Sequence, residues 1–96
     1  MIKVSVFYPA EGGSNFNHEY YRNTHIPMAV NGWKPVRTQI DKGIDGPYVA
    51  GVHFTFDSME AFQACMTLPV SADLAADLPN YSEVPPIIQV SEIFEA

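Results

Sequence analysis

The segment YVAGVHFTF, residues 48–56, constrains the fold of this chain more than any other stretch. Side chains alternate between the two faces of a β-strand, so every second residue shares a face. One face of this segment is uniformly apolar and is predicted to meet helices; it carries Ala50, Val52, Phe54 and Phe56. His53 and Thr55 point the opposite way. The pattern therefore predicts a strand of a sheet that helices cover on one face.

The first half of the chain contains three further elements. In IKVSVFY, Ile2, Val4, Val6 and Tyr8 alternate with Lys3, Ser5 and Phe7, and this period of two predicts a strand at the start. The segment PAEGGSN predicts a loop by its Gly and Pro content. Residues 16–30 have helical spacing, and Gly32 is predicted to end that helix. KPVRTQIDKGI then predicts a more polar strand.

The second half adds a helix and a last strand. DSMEAFQACMTL has apolar residues at helical intervals and opens with a capping residue, either Asp57 or Ser58. VSADLAADL either extends this helix or forms a further short turn. IIQVSEIFE closes the chain and predicts a strand. The order of elements is therefore βαββαβ.

This order predicts an α+β, ferredoxin-like fold, in which two helices cover one face of a four-stranded antiparallel sheet. A chain of 96 residues has room for one domain, residues 1–96. The uncovered face is predicted to be too apolar to stay in water. It carries Phe7, Val49 and either Ile87 and Ile93 or Ile88, Val90 and Phe94. We therefore predict a homodimer that packs sheet against sheet, through Phe7, Val49, His53 and Thr55.

The charge of the chain excludes several classes of partner. Five basic and eleven acidic residues give a net charge of −6, so a nucleic acid or an anionic membrane surface would be repelled. The apolar runs are too short to cross a bilayer, and the start of the chain does not resemble a signal peptide. We therefore predict a cytoplasmic protein that binds neither nucleic acid nor membrane. Cys65 has apolar neighbours, which predict a packed thiol.

The segment NHEYYRNTHIPMAV places a proline two residues after a histidine within the first helix. Pro27 has no N–H and crowds the carbonyl of Asn23, so the helix is predicted to bend or loosen near Thr24. A helical wheel then places His25 at the rim of the buried face. From residue chemistry alone, His25 is either an ordinary half-buried histidine or a side chain that contacts a ligand and exchanges protons with it.

A cavity between the sheet and the helices would have mainly apolar walls, which suit a small hydrophobic or aromatic compound. The residues predicted to line it are Val4, Val6, Tyr8, Val52, Phe54, Phe62 and Met66. His53 is expected on the uncovered face and His18 in solvent, so the histidines do not converge as a metal site requires. Dinucleotide, phosphate-loop, CxxC and GxSxG motifs are absent from the sequence. We therefore predict neither a metal nor a cofactor.

Three segments, taken in order, resemble the EthD family of the dimeric α+β barrel superfamily: FNHEYYRNTHIP, YVAGVHFTFDSMEAF and DLPNYSEVPPIIQVSEI. The resemblance covers nearly the whole chain and implies a dimeric α+β barrel. The family takes its name from a gene in an ethyl tert-butyl ether degradation cluster. Relatives in the wider superfamily include cofactor-free monooxygenases, lactone isomerases, polyketide cyclases and haem enzymes, so the fold alone does not decide the activity.

The resemblance favours a ligand-contacting role for His25, because the histidine of this motif recurs in the family. Tyr21 lies one turn earlier and is its expected companion, with a hydroxyl that donates to an anion, while Tyr20 is expected to pack in the core. The implied function is that of a cofactor-independent oxygenase, isomerase or cyclase in which His25 relays a proton. The alternatives are a non-catalytic carrier or accessory protein, and haem binding through His25, which the scarcity of cationic residues disfavours.

Overall fold

The computed structural model describes residues 1–11 and 15–96. The predicted loop over residues 9–15 includes residues 12–14, which lie outside the described residues. The first half of the chain forms strand β1 (Ile2–Pro9), helix α1 (His18–Tyr20), a π-helical segment (Tyr21–His25), helix α2 (Ile26–Trp33) and strand β2 (Arg37–Lys42). The second half forms strand β3 (Tyr48–Phe56), helix α3 (Met59–Met66), helix α4 (Pro69–Ala76), a short 3₁₀ turn (Leu78–Asn80) and strand β4 (Ile87–Glu92).

The helical regions after β3 settle two alternatives that the sequence leaves open. Ser58, rather than Asp57, caps α3, because its side chain accepts a hydrogen bond from the backbone N–H of Ala61 at 3.1 Å. The segment VSADLAADL forms α4, a helix separate from α3 that begins at Pro69. None of the helices in residues 1–11 and 15–96 has the length and apolar character needed to cross a membrane.

The four strands form one antiparallel sheet in the order β2-β3-β1-β4. The two central strands are those with the strongest alternation in sequence, β1 and β3. In their register Val6 lies opposite Val52 on one side and opposite Ile88 on the other. The predicted ferredoxin-like α+β architecture is therefore confirmed.

The helix-covered face of β1 and β3 forms the centre of the core. Five of its large side chains are each at most 3% exposed: Val4, Tyr8, Val52, Phe54 and Phe56. On β4 the same face is left open, because Ile88 is 61% exposed and Val90 is 40% exposed. The helices therefore cover the centre of the sheet and leave its β4 side accessible.

The uncovered face of the sheet is more polar than the sequence analysis predicts. The register places Ile87 opposite Phe7 on this face, which selects Ile87 from the two alternatives for the last strand. Polar side chains share the face, because the register also places there Lys3, Ser5, Arg37, Gln39, Asp41 and Gln89. Apolar residues are thus only part of this surface.

The first helical region ends later than predicted. Gly32 does not end the helix; it lies inside α2, which continues to Trp33. Lys34 follows in the left-handed conformation, with φ of 52°, and its N–H donates to the carbonyl of Val30 at 2.9 Å. Gly32 instead allows close packing of two helices, since a Cβ at this position would lie 2.6 Å from Cγ1 of Val70 on α4.

Substituting Gly32 with Ala is therefore expected to destabilise the fold. Ala gains about 0.5–1 kcal/mol over Gly inside a helix, but overpacking costs typically about 1–3 kcal/mol. Val70 cannot easily rotate away, because its branched side chain is stiff and its Cβ is also within 3.0 Å. Urea denaturation should show a net loss of stability for Gly32→Ala, relieved when Val70→Ala is added. Equal or greater stability of Gly32→Ala would contradict this account of the packing.

Candidate functional site

A cavity of about 330 Å³ lies between the helix-covered face of the sheet and helices α2 and α4. This volume lies within the range of small-molecule sites. Its walls are mostly apolar and aromatic, from Val6, Tyr8, Tyr21, His25, Ile26, Ala29, Trp33, Val52, Phe54, Met66, Ser71, Leu74, Ala75, Leu78, Tyr81, Pro86 and Ile88. The Ser71 hydroxyl is already engaged, since it donates to the carbonyl of Cys65 and accepts from the indole of Trp33.

The π-helical segment brings His25 into this cavity. In this segment an N–H bonds to the carbonyl five residues earlier, as the N–H of Ile26 does to the carbonyl of Tyr21. This wider turn ends at His25, two residues before Pro27, so the predicted loosening near Thr24 is confirmed. His25 is 7% exposed, so it is buried rather than placed at the rim as the helical wheel predicts. Its ring stacks on Tyr21 with 5.4 Å between centroids and 12° between planes.

Asp77, which directly follows α4, fixes one side of the His25 ring. Its Oδ2 lies 2.8 Å from Nδ1 of His25, and both side chains are largely buried. The other carboxylate oxygen accepts from the hydroxyl of Tyr20 at 2.7 Å and from the amide of Asn80 at 2.9 Å. Because an ionised carboxylate only accepts hydrogen bonds, Nδ1 of His25 carries the ring proton. Nε2 is then the acceptor.

Two tyrosine hydroxyls complete the site on the other side of the ring. Tyr81 lies 3.3 Å from Nε2 of His25 and 2.7 Å from the hydroxyl of Tyr8. Since Nε2 can only accept, Tyr81 donates to it, and Tyr8 in turn donates to Tyr81. The hydrogen bonds therefore run in one direction, from Tyr8 through Tyr81 and His25 to Asp77.

Burial and hydrogen bonds together set the charge states of these groups. It lowers the pKa of His25 below the ordinary value of 6.5, although the Asp77 carboxylate acts in the opposite direction. Burial would raise the pKa of Asp77, but hydrogen bonds from Asn80, His25 and Tyr20 outweigh it and lower that pKa. Burial also raises the pKa of Tyr81. At neutral pH the site therefore contains a neutral imidazole, an ionised carboxylate and protonated phenols.

Comparison with solved structures identifies the family. The chain matches no protein-family model, and no curated protein matches it significantly. An EthD-like protein from Ralstonia eutropha is 36% identical, with a TM-score of 0.85 over 95% of this chain and 89% of that one. The chain belongs to the EthD family. An EthD family protein from Bacillus halodurans is 16% identical and has a TM-score of 0.79, covering 98% of this chain and 99% of that one.

The EthD fold extends to more distant proteins. SnoaB, a cofactor-independent oxygenase from Streptomyces nogalater, has a TM-score of 0.71 over 99% of this chain and 93% of its own. At 12% identity this similarity shows a shared fold and does not carry an activity over.

Most of the cavity residues predicted from sequence lie together in this EthD-family chain. His25, Tyr21 and five of the seven predicted apolar residues line the cavity: Val6, Tyr8, Val52, Phe54 and Met66. Phe62 lies outside the lining and packs on Phe56 with 5.5 Å between ring centroids. Val4 is likewise a core residue outside the lining. Facing the helices is therefore not sufficient to place a residue in the cavity.

Sequence reasoning missed the residues that bind the His25 ring. Asp77 and Tyr81 follow α4 and are more than 50 residues away along the chain. Tyr20 is predicted to be a packing residue, but its hydroxyl contacts Asp77. The only available signal was the tail segment DLPNYSEV, where an aspartate precedes a tyrosine by four residues around Pro79.

A second polar cluster lies on the uncovered face of the sheet. Nδ1 of His53 lies 2.7 Å from the hydroxyl of Ser5, and its Nε2 lies 2.6 Å from Asp41. Asp41 is thus a hydrogen-bond partner of His53. His53 and His25 lie on opposite faces of the sheet, and no group of three or more His, Cys, Asp or Glu side chains in residues 1–11 and 15–96 could hold a metal ion.

Proposed function

We propose that this protein binds a small apolar or aromatic compound in the cavity and transfers a proton to or from it, with His25 as the proton relay. This chemistry belongs to a cofactor-independent oxygenase, isomerase or cyclase. One observation carries the proposal: Asp77 holds Nδ1 of His25 in its protonated form, while Nε2 is an acceptor at the wall of an apolar cavity. An imidazole so oriented is prepared to accept a proton.

The surroundings of His25 support a role in proton transfer. A neutral imidazole with a lowered pKa is available as a base at neutral pH. When it accepts a proton, the resulting imidazolium lies next to the ionised Asp77 and is stabilised by it. Both side chains are largely buried, which strengthens this electrostatic interaction because little water surrounds the pair.

Tyr21 has a different place in this proposal from His25. Its ring stacks on the imidazole, and the whole residue is only 1% exposed. We assign it to the cavity wall, where the stacking keeps the imidazole plane in position. The anion-stabilising hydroxyl that the sequence analysis assigns to Tyr21 is better supplied by Tyr81, since Tyr81 is the one in contact with Nε2.

A ligand screen followed by kinetics tests this function. Phenols, lactones and polyketide-like compounds would be screened by thermal shift, and each ligand found would then be tested for turnover. Substituting His25 with Gln should reduce turnover by about 10²–10⁴-fold, the usual contribution of a general base. His18→Gln is a matched control, because His18 lies outside the cavity lining. Binding of compounds with no turnover by the wild type would count against catalysis.

A non-catalytic carrier for an apolar compound is the second candidate. The observation that favours it is that both ring nitrogens of His25 already have hydrogen-bond partners within the protein. A histidine so engaged can serve to hold α2 and the segment after α4 together. The carrier function predicts a tight ligand whose affinity does not depend on the His25 ring. Wild type and His25→Gln should then bind this ligand with equal affinity.

We also propose that two copies associate through the uncovered sheet face to form a dimeric barrel. Phe7 and the half-exposed Ile87 provide its apolar contacts. Val49, which the sequence predicts on this face, instead packs against the buried core, because the pairing of β1 with β3 shifts by one residue at this point. The polar groups of His53 are already paired with Ser5 and Asp41, so a second copy can cover them without leaving donors or acceptors unsatisfied.

A further inference from the structure

The hydrogen-bond chain of the cavity is weakest at Nε2 of His25. Tyr81 contacts this nitrogen at 3.3 Å, whereas the Tyr8–Tyr81 and His25–Asp77 contacts measure 2.7 and 2.8 Å. A hydrogen bond beyond about 3.2 Å is long for a nitrogen–oxygen pair. The contact between Tyr81 and Nε2 is therefore the hydrogen bond that an entering ligand can break at the lowest cost in free energy. The other two contacts stay in place.

The charge of the cavity lining restricts which ligand can do so. Across the described ranges 1–11 and 15–96, the lining includes no Lys, Arg, Asp or Glu, and His25 is its one titratable imidazole. A carboxylate would thus be desolvated without a cation, and it would face the lone pair of Nε2. An ammonium would find the oxygens of Asp77 already accepting from His25, Tyr20 and Asn80. Both charged classes are disfavoured.

We propose that the ligand is an uncharged molecule with a weakly acidic hydroxyl, a phenol or an enol, which replaces Tyr81 as the donor to Nε2 of His25. This inference rests on the proposed function and specifies its ligand. The hydroxyl group supplies the proton that a lone pair on Nε2 requires, while the apolar walls accommodate the rest of the molecule.

Displacement from Nε2 gives the Tyr81 hydroxyl a new acceptor. When the ligand O–H bond breaks, its proton forms an N–H bond at Nε2, and the electron pair stays on the ligand oxygen. The products are an imidazolium beside Asp77 and a ligand anion, so the total charge of the site does not change. Tyr81 then donates to this anion, and Tyr8 continues to donate to Tyr81. No oxidant or reductant is needed for this step.

Three probes of similar shape test the ligand class: naphthol, naphthalene and naphthoate. Isothermal titration of the wild type should give an affinity for naphthol about tenfold higher than for naphthalene, the size of one good hydrogen bond. Naphthoate should bind at least about tenfold more weakly than naphthol, because its charge is not compensated. Equal affinities for naphthol and naphthalene would overturn the hydroxyl assignment and leave the apolar pocket intact. Failure of all three to bind would overturn the proposed function itself.

The role of Tyr81 is tested with para-nitrophenol, whose ionised form absorbs at a longer wavelength than the neutral form. In the wild type, the bound probe should be more ionised than the free probe at the same pH. Tyr81→Phe should lower the ionisation constant of the bound probe about tenfold, because the anion loses a charge-assisted hydrogen bond. Tyr48→Phe is the matched control, since Tyr48 stacks on Phe7 outside this cavity. An unchanged ionisation constant in Tyr81→Phe would overturn its role as donor.

Discussion

Replacing Asp77 with Asn is expected to reduce turnover by about 10²–10⁴-fold while the cavity keeps its shape. The carboxylate holds the ring proton of His25 on Nδ1, because it can only accept a hydrogen bond. An Asn amide can also donate to Nδ1, and the ring proton then moves to Nε2. In that tautomer His25 presents a donor to the cavity and cannot accept a proton from the ligand.

Two measurements check this result. Steady-state kinetics give the loss of turnover for a substrate identified in the screen, and nitrogen chemical shifts of the His25 ring report the tautomer without any substrate. Asp73→Asn is the matched control, because Asp73 lies on α4 and is exposed. Asp77 acts through His25 and is therefore a positioning residue. Normal turnover in Asp77→Asn with the proton still on Nδ1 would contradict that role.

The pH dependence follows from the same pair of residues. The pKa of His25 in the folded protein is below 6.5, so turnover that needs the neutral imidazole should be constant near neutral pH and decrease as the pH falls below 6.5. The stability of the fold should also decrease as the pH falls below 6.5, because the unfolded chain takes up this proton at a higher pH than the folded chain does. In Asp77→Asn the imidazole should titrate at a still lower pH, since the carboxylate that raises its pKa is gone. A titration midpoint at or above 6.5 in the wild type would contradict the burial argument.

The fold was predictable because its strongest signals are local. The alternation of IKVSVFY and YVAGVHFTF identifies the two central strands, and the same alternation decides which residues face the helices. The pairing of β1 with β3 then places Val6 beside Val52. The period of two within each strand was therefore enough to predict which face is buried. No long-range contact had to be known.

The position of His25 was only partly predictable. Pro27 indicates a loosened turn, but a helical wheel of 100° per residue assumes regular α-helix through that turn. The π-helical segment adds a residue to the turn, which alters the direction of the side chains around it. His25 is consequently buried, and Tyr20 reaches Asp77 with its hydroxyl. A wheel cannot give these orientations.

The partners of His25 could not be predicted because they depend on how the two halves of the chain meet. Asp77 lies directly after α4, and Tyr81 directly follows the 3₁₀ turn. Their contact with the π-helical segment requires α4 to pack against α2, which Gly32 permits by its lack of a side chain. A sequence pattern shows the face of each helix but does not show which loop residues reach across to it.

Replacing Ile87 with Asp is the second change for which we expect a large effect. Ile87 is 50% exposed and lies opposite Phe7 on the uncovered sheet face, where the proposed dimer would bury it. An unpaired carboxylate in that layer costs several kcal/mol, because it loses its hydration without gaining a partner. Sedimentation should therefore show a monomer for Ile87→Asp and a dimer for the wild type. Since a dimer gains stability by association, the wild-type melting temperature should also rise with protein concentration.

Val36 provides the matched control for this substitution. It lies just before β2 and is 54% exposed, so Val36→Asp places the same charge where water can solvate it. This variant should remain dimeric and lose little stability. A wild type that sediments as a monomer at micromolar concentration, with unchanged stability in Ile87→Asp, would show that this face does not bind a second copy.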